Sequence, residues 1–243
     1  MKPLAIVTIC YNDRSGLERT LTSVAAQTTD QVEHIVVDGG STDGSVEVIK
    51  VHAPRLARWV SEPDHGIYDA QNKGWRMTQA PWVLFLNAGD TLHANDALER
   101  VLPHLQDDVD IVYGDLQVND GRGGSRIKTY PARITSAWLM KESLPHPAQF
   151  TRRTVLERLN GFDVQFRIVA DYDLFARAFW KLGVRLRKLP FVVSDFTLGG
   201  LSSDAAKADQ LRAERTEVQR RHAPRGWFFL YHAWAAINRS IGR

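Results

Sequence analysis

Short apolar runs alternate with segments of helical periodicity along the first half of the chain. The apolar runs predict strands near residues 4–9, 33–38, 57–60, 82–86 and 111–113. The periodic segments predict helices near 16–26, 44–51, 68–78 and 96–105, with capping residues at Ser15, Asp43 and Asp96. This alternation is typical of βαβ units, so we expect an α/β fold with a mostly parallel central sheet flanked by helices.

The second half of the chain is less regular. A glycine-rich segment at 119–125, which contains Arg122, predicts a mobile loop that divides the domain into halves at 1–118 and 119–203. Further along, the pattern indicates a helix near 171–182, strands near 185–189 and 192–197, and a long polar helix near 204–221. We therefore expect one domain over 1–203 and a helical, basic, amphipathic extension over 204–243.

Composition and charge exclude several classes of protein. The 243 residues are 44% hydrophobic and 24% charged, which excludes a disordered chain. The formal net charge is +3, but residues 207–243 hold eight Lys and Arg against three acidic residues, so the basic character belongs to the tail. The sequence contains no recognisable nucleic-acid-binding motif, and we expect no nucleic-acid partner.

Cysteine usage and hydropathy indicate the compartment. Cys10 is the single cysteine and lies in an apolar run, so we expect a buried small side chain in a reducing compartment rather than a nucleophile. The apolar run near the start is too short for a signal peptide, and no run approaches the ~18 apolar residues of a membrane span. We therefore expect a cytoplasmic protein.

Polar side chains follow four of the predicted strands at the points where they end. In parallel sheets, ligands bind outside the carboxyl ends of the strands. The polar residues at this edge are Tyr11, Asn12, Asp38, Gly40, Asp64, Asn87 and Asp90. We expect the binding site there.

The sequence VDGGSTDGS at 37–45 is the most informative of these segments. A carboxylate at a strand end can accept a hydrogen bond from a planar base, and the glycines let the backbone come close. Taken alone, the segment is equally consistent with a structural role only, as a turn rich in glycine and aspartate that caps the next helix. Together with TICYN at 8–12 and EPDHGIYDAQNKG at 62–74, it resembles the family 2 glycosyltransferases over roughly residues 3–200.

The resemblance implies a GT-A-like fold whose first half binds a nucleoside-diphosphate-sugar and whose second half binds the acceptor. Asp38 would recognise the base, Asp64 would lie nearer the base and ribose, and Lys73 would offset the diphosphate charge. Alternatively, Asp64 is only a turn residue and Lys73 a solvated helix residue. The implied donor-binding residues are Thr8, Tyr11, Asn12, Asp38, Gly40, Asp64, Asn72, Lys73 and Asn87.

The sequence FLNAGD at 85–90 stands in the place of the family's acidic metal-binding motif. Asn87 and Gly89 occupy positions where aspartates are frequent, which leaves Asp90 as the carboxylate for a divalent cation, Mg²⁺ or Mn²⁺. Such a cation can be held by only one or two protein carboxylates. The alternative is a tight turn without a metal.

Two later segments resemble the acceptor side of the family. In RIVADYDL at 167–174, Asp171 would be the base that deprotonates the acceptor hydroxyl, although Ala170 replaces the more usual glutamate. Alternatively, Asp171 only caps the following helix. HPAQF at 146–150 and FTLGGLS at 196–202 contribute His146, Gln149 and Gly200 to the acceptor side, or serve only as a loop and a hinge.

The resemblance implies an inverting glycosyltransferase that acts on a hydroxyl of a lipid-linked saccharide acceptor in bacterial polysaccharide biosynthesis. Two alternatives remain open. The replacements at Asn87, Gly89 and Ala170 are compatible with a silent nucleotide-sugar-binding module. A sugar-nucleotide pyrophosphorylase is the other, but residues 11–16 lack the glycine-rich phosphate loop expected of one.

The end of the chain predicts an interfacial helix. Apolar residues recur there at spacings of three and four, close to basic residues, which favours peripheral contact with a membrane surface. The alternative is that the stripe packs against the domain or a second subunit. The stripe comprises Trp227, Leu230, Trp234, Ile237 and Ile241, with Arg225, Arg239 and Arg243 nearby.

Overall fold

The computed structural model describes residues 1–198 and 205–241. Its strands are β1 Leu4–Cys10, β2 Val32–Asp38, β3 Arg58–Ser61, β4 Trp82–Phe85, β5 Thr91–Leu92, β6 Ile111–Asn119, β7 Ser125–Lys128, β8 Gln149–Arg152 and β9 Leu186–Thr197. Its α-helices are α1 Arg14–Ala25, α2 Ser45–His52, α3 Ile67–Arg76, α4 Ala97–Val101, α5 Ser136–Leu139, α6 Arg153–Leu159, α7 Ala170–Arg177, α8 Ala208–His222 and α9 Arg225–Ile241.

The strands form one mixed sheet in the order β3-β2-β1-β4-β8-β6-β9-β5, with β7 added to β6. The four strands β3, β2, β1 and β4 run parallel to one another, as the βαβ pattern predicts. Strand β8 then lies antiparallel to both β4 and β6, and β9 lies parallel to β6. The α/β class and the single sheet flanked by helices are confirmed. The sheet is mixed, because β5, β7 and β8 each pair antiparallel with their neighbours.

The register of the parallel strands brings their carboxyl ends to one level. Cys10, at the end of β1, pairs with Asp38 at the end of β2, and Asp38 pairs with Ser61 at the end of β3. Because Cys10 is buried, its side chain packs as the sequence predicts, and burial raises the pKa of its thiol. The polar loops that follow these strands therefore begin side by side.

Two predictions for the second half need correction. The strands expected at 185–189 and 192–197 are one strand, β9, because Pro190 lies in a bulge where the pairing jumps from Tyr113–Lys188 to Asp115–Val192. A bulge tolerates a residue that has no N–H to donate. The segment 119–125 is the turn of the β6–β7 hairpin, in which Asp120 Oδ1 accepts hydrogen bonds from two backbone N–H groups.

Helix boundaries also differ from the predicted ones. Asp13, rather than Ser15, caps α1 by accepting a hydrogen bond from Gly16 N. Gly44 is the N-cap of α2, while Asp43 accepts from Ser45 N and so stands just before the helix. Asp96 is the N-cap of α4 without a side-chain hydrogen bond to it. The helix expected over 96–105 ends at Val101 and continues as a 3-10 turn, Leu102–His104.

The C-terminal helices differ in how they pack. Val218 and Gln219 of α8 are buried, and α8 lies along α7. The exposed side chains of α9 include Trp227, Phe229, Leu230, Trp234 and Ile237. In the part of the chain that the structure describes, no helix is both long and apolar enough to cross a membrane.

Helix α3 approaches β1 closely because Gly74 lies at the contact. A Cβ atom on Gly74 would be 2.3 Å from Val7 Cγ1 and 3.4 Å from Val37 Cγ2. Both valines are fully buried, so neither side chain has room to withdraw. The position of α3, which carries several of the candidate site residues, thus depends on the missing side chain at Gly74.

We predict that Gly74→Ala lowers the free energy of unfolding by about 1–3 kcal/mol, the usual cost of overpacking a core. The measurement is urea denaturation followed by circular dichroism. Gly226→Ala is the matched control, because a Cβ there has no neighbour within 4 Å and the substitution improves helix propensity. Equal midpoints for Gly74→Ala and the unchanged protein would contradict the close contact.

Candidate active site

The loops after β1 and β2 are tied together by hydrogen bonds. Asn12 adopts a φ of 49°, its N–H donates to Ser41 Oγ at 2.8 Å, and its Oδ1 accepts from Thr42 N at 2.9 Å. Arg14 N donates to Asp43 Oδ2 at 2.8 Å. Asn12 therefore holds the loop after β2 in place, and its side-chain oxygen is already hydrogen-bonded to Thr42 N.

Asp38 is buried at the centre of this edge. Its Oδ2 accepts hydrogen bonds from Gly40 N at 3.1 Å, Ser41 N at 2.9 Å and Ser61 Oγ at 2.7 Å. Its Oδ1 is also buried, and the described residues supply no hydrogen-bond partner for it. A buried acceptor without a partner is costly, so a ligand donor at this position would be favoured.

Tyr11 and Asp64 meet over Gly39. A Cβ atom on Gly39 would lie 2.6 Å from Asp64 Oδ2 and 3.3 Å from Tyr11 Cδ2, so only glycine allows both to approach. The Tyr11 ring is 67% exposed, and Asp64 is fixed by accepting a hydrogen bond from Gly66 N at 2.8 Å. An exposed aromatic ring beside a fixed carboxylate suits a planar ligand with N–H or O–H donors.

Lys73 lies at the border of this cluster. Its Nζ is 3.0 Å from Glu62 Oε1 and 3.7 Å from Asp69 Oδ2, and it donates to the carbonyl of Pro63 at 3.2 Å. Partial burial alone would lower the pKa of Lys73, but the hydrogen bond to Glu62 and the charge of Asp69 outweigh it and raise the pKa. Lys73 is a fixed cation next to the loop that carries Asp64.

The turn at 87–90 is held by a residue of α1. Thr20 Oγ1 donates to the carbonyl of Asp90 at 2.7 Å, and Gly89 N donates to Thr20 Oγ1 at 3.0 Å. Thr20 is fully buried, so this contact anchors the turn to the core. Asp90 is buried by the turn, and burial raises the pKa of its carboxyl, partly offset by His146.

His146 lies between two carboxylates. Its Nε2 is 3.6 Å from Asp90 Oδ2, and its Nδ1 is 3.8 Å from Asp171 Oδ2. Burial alone would lower the pKa of His146, but hydrogen bonding and the charges of Asp171 and Asp90 raise it to about 9. The two carboxylates thus favour the protonated imidazole, which connects the turn after β4 with the start of α7.

Asn87 and Gln71 extend this network. The Asn87 amide lies 3.0 Å from His146 Nε2, and on its other side 3.0 Å from the Gln71 amide. Gln71 Nε2 donates to Asn87 Oδ1, and Asn87 Nδ2 faces His146 Nε2. Gln71 Oε1 is buried without a partner among the described residues. The Asn87 amide thus links Gln71 on α3 to His146.

Asp171 and Asp173 face different surroundings, as helical geometry requires. Asp171 is one-third exposed, and its Oδ1 accepts from Tyr172 N at 2.8 Å and from Tyr68 Oη at 3.4 Å. Asp173 is 1% exposed and is bonded to Arg177 Nε at 2.7 Å and His222 Nε2 at 2.9 Å. Of these two aspartates, only Asp171 has a carboxylate accessible to an acceptor.

Several residues predicted for the site are bonded elsewhere. Thr8 is fully buried, and its hydroxyl lies 2.9 Å from His34 Nε2 inside the sheet. Asn72 is buried, and its amide bonds the backbone of Phe162 at both ends. Gln149 donates to Thr151 Oγ1 within β8. The predicted residue Gly200 lies outside the described residues.

Sequence reasoning missed Tyr68, Gln71 and Thr20. Tyr68 and Gln71 are three residues apart, so they share a face of the predicted helix at 68–78. Gln71 is only 2% exposed, and a buried amide on a helix is a recognisable sign of a polar network. Thr20 gave no comparable signal, because its partners lie about 70 residues away in sequence.

The ligand atoms available at the turn 87–90 limit how a divalent cation could bind. Across the described ranges, no group of three or more His, Cys, Asp or Glu side chains could hold a metal ion. Asp90 offers one carboxylate, and Asp13 Oδ2 would lie 3.7 Å from a Cβ on Gly89. Such sparse ligation fits a cation that binds together with substrate phosphates rather than one held by the protein alone.

Comparisons with known proteins agree with this arrangement. Residues 5–176 match the model of the family described as Glycosyl transferase family 2. A PGL/p-HBAD biosynthesis glycosyltransferase of Mycobacterium bovis is 30% identical over 214 residues, which cover 86% of this chain and 82% of that protein. An uncharacterized glycosyltransferase of Mycobacterium tuberculosis is 32% identical over 179 residues, covering 72% and 68%.

Solved structures share the fold. S. aureus TarS 1–349 in complex with UDP-GlcNAc has a TM-score of 0.72 at 19% identity, covering 90% of this chain and 65% of that one. Mannosyltransferase PcManGT from Pyrobaculum calidifontis, in complex with GDP-Man and Mn²⁺, has a TM-score of 0.71 at 23% identity, covering 96% and 69%. The chain spans less than two thirds of TarS 1–349.

The family match extends over more than half of the chain, and it includes the segments after β1, β2, β3 and β4 that form the site. The mycobacterial relatives are also named glycosyltransferases. The resemblance seen in the sequence motifs is therefore confirmed, and the chain belongs to glycosyl transferase family 2 as a glycosyltransferase.

Proposed function

We propose that the chain is an inverting glycosyltransferase in which Asp171 activates the acceptor hydroxyl. The observation that carries this proposal is the contrast between two neighbouring carboxylates. Asp171 is accessible and lies next to His146, while Asp173 is buried in an ion pair with Arg177. A sugar hydroxyl is a poor nucleophile, so a positioned carboxylate has a defined task in a single displacement.

In the proposed reaction the Asp171 carboxylate accepts the proton of the acceptor hydroxyl. The oxygen forms a bond to the anomeric carbon while the bond from that carbon to the donor diphosphate breaks. The electron pair of the broken bond leaves with the nucleoside diphosphate. Because the oxygen attacks from the side opposite the leaving group, the configuration at the anomeric carbon is inverted.

The proposed donor is a nucleoside-diphosphate-sugar. The unpartnered Oδ1 of Asp38 and the exposed ring of Tyr11 beside Asp64 supply the acceptors and the apolar surface that a nucleoside needs. The structures of TarS with UDP-GlcNAc and of PcManGT with GDP-Man support this donor class. We propose direct donor contacts for Tyr11, Asp38 and Asp64, and a supporting role for Asn12, Gly40, Asn87 and Lys73.

We also propose that a divalent cation, Mg²⁺ or Mn²⁺, binds with the donor at Asp90. When bound, such a cation neutralises the charge that develops on the departing diphosphate. PcManGT was solved with Mn²⁺ and GDP-Man, which supports this part of the proposal. Asp90 is oriented by Thr20 and His146, and Lys73 adds a second positive charge near the loop that carries Asp64.

The proposed acceptor is a lipid-linked saccharide that is presented at the cytoplasmic face of a membrane in polysaccharide biosynthesis. Support comes from α9, on which Phe228 and Tyr231 are partly buried while Phe229 and Leu230 are each 68% exposed. Five exposed large apolar side chains on one helix are costly in water and favour an interface. Lys141, with its Nζ 4.4 Å from the ring centroid of Trp234, adds positive charge that anionic lipid would attract.

The first test is the comparison of Asp171→Asn with Asp173→Asn. We expect Asp171→Asn to lower kcat by a factor on the order of 10²–10⁴, the usual cost of removing a general base, with little change in donor KM. Asp173→Asn should lower thermal stability and keep most of the transfer rate. Transfer and donor hydrolysis are measured side by side. Full transfer by Asp171→Asn would place the base elsewhere, and donor binding without turnover by the unchanged protein would indicate a silent binding module.

The second test concerns the cation. We expect EDTA to abolish transfer and Mg²⁺ or Mn²⁺ to restore it. Asp90→Asn should reduce transfer by a factor on the order of 10², because a bound cation contributes several kcal/mol to the transition state. Asn87→Asp is the companion change, which should tighten Mn²⁺ binding measured by calorimetry. A full rate in EDTA would rule out the cation, and an unaffected Asp90→Asn variant would rule out its ligand.

The third test concerns the membrane surface. We expect the double variant Phe229→Ser, Leu230→Ser to co-sediment less with anionic vesicles than the unchanged protein, since it exposes less apolar surface to the lipid. Its matched control is Val51→Ser, a change at an exposed apolar side chain on α2. Vesicles of neutral lipid should bind the unchanged protein and the Val51→Ser control more weakly than anionic vesicles do. Equal binding of the double variant and the unchanged protein would exclude α9 as the contact.

A further inference from the structure

The start of α7 is capped by a side chain from a distant helix. The N-cap residue of α7 is Val169, which has no side chain able to accept a hydrogen bond. The carboxylate of Glu214, on α8, accepts instead from Arg167 N at 3.2 Å, Ile168 N at 2.9 Å and Val169 N at 3.2 Å. One carboxylate thus satisfies three backbone donors just before the helix begins.

This contact is favourable on two grounds. The first N–H groups of a helix have no partner within the helix, and an acceptor must come from elsewhere. The aligned peptide dipoles also favour a negative charge at that end. Glu214 is itself held in place, because Gln210 Nε2 donates to its Oε1 at 2.8 Å from one turn earlier in α8.

Further contacts tie the same turn of α7 to α8. Gln219 Nε2 donates to Tyr172 Oη at 3.2 Å, and the Arg215 guanidinium lies 4.0 Å from the centroid of the Tyr172 ring. His222 Nε2 is 2.9 Å from Asp173 Oδ1. Side chains of α8 therefore hold the residues before and after Asp171 in sequence. The Asp171 side chain itself points toward His146.

We infer that Glu214 is a positioning residue for Asp171, and that α8 forms part of the acceptor site instead of a separable extension. The inference rests on the proposed role of Asp171 as the base. Without this contact, the N–H groups of residues 167–169, which lead into α7, would lose their acceptor, and the segment would open more often. Misplacement of a reacting group by about 1 Å can cost a factor on the order of 10² in rate.

The test compares Glu214→Gln with Glu217→Gln. The two residues lie on the same helix, but Glu217 pairs only with Arg220 and Arg221 at the surface among its described contacts. We expect Glu214→Gln to lower kcat by about tenfold or more with donor KM unchanged, while Glu217→Gln stays within twofold of the unchanged protein. Hydrogen exchange at the amides of residues 167–169 should become faster in Glu214→Gln only.

A double-mutant cycle separates positioning from general stability. If Glu214 acts through Asp171, Glu214→Gln should cause no further loss of kcat in the Asp171→Asn background. The same fold loss in both backgrounds would overturn the inference, as would a kcat for Glu214→Gln equal to that of Glu217→Gln. Gln210→Ala is a milder second variant; if Glu214→Gln does not fold, a drop in kcat for Gln210→Ala supports the inference and an unchanged kcat overturns it.

The same experiment distinguishes the two levels of the proposal. Loss of transfer in Asp171→Asn with wild-type transfer in Glu214→Gln overturns the positioning role and leaves the proposed base intact. Wild-type transfer in Asp171→Asn overturns the proposed base and the positioning role with it.

Discussion

The common level at which β1, β2 and β3 end is the constraint on which the donor side depends. Cys10, Asp38 and Ser61 are paired across the sheet, so the loops that follow them start next to one another. A slip of one residue in this register would turn the Asp38 carboxylate to the opposite face of the sheet. The hydrogen bonds from Ser61 and from the backbone after β2 would be lost with it. The strand register therefore also fixes the direction and the hydrogen bonds of the Asp38 carboxylate.

The acceptor side depends on charge instead. Asp90 and Asp171 approach His146 from different elements, and two carboxylates so close to one another would repel without a cation between them. This explains how an amide is accommodated at Asn87. An amide can turn either end to His146, whereas a carboxylate would add a third negative charge to a partly buried cluster.

The sequence predicted the parallel half of the sheet and the edge that carries the site, because the relevant residues directly follow apolar runs. It predicted Asp38, His146 and Asp171 as neighbours of the site through local motifs. It failed where the partner is distant in sequence, as for Thr20, and where a polar residue within a motif turns inward, as for Asn72. Helical phase decides which way a motif residue points, and an error of one position turns the side chain by about 100° around the helix axis.

The contact between Glu214 and residues 167–169 joins segments that are about 46 residues apart. Chains emerge from the ribosome from the N-terminus onward, and regions that are already complete begin to fold first. The donor-side strands β1 to β4 can pair as soon as they emerge, but the turn that carries Asp171 acquires its cap only after α8 has been made. Under the proposed roles, a nascent chain would therefore complete its donor-binding loops before the segment that carries Asp171 is held in place.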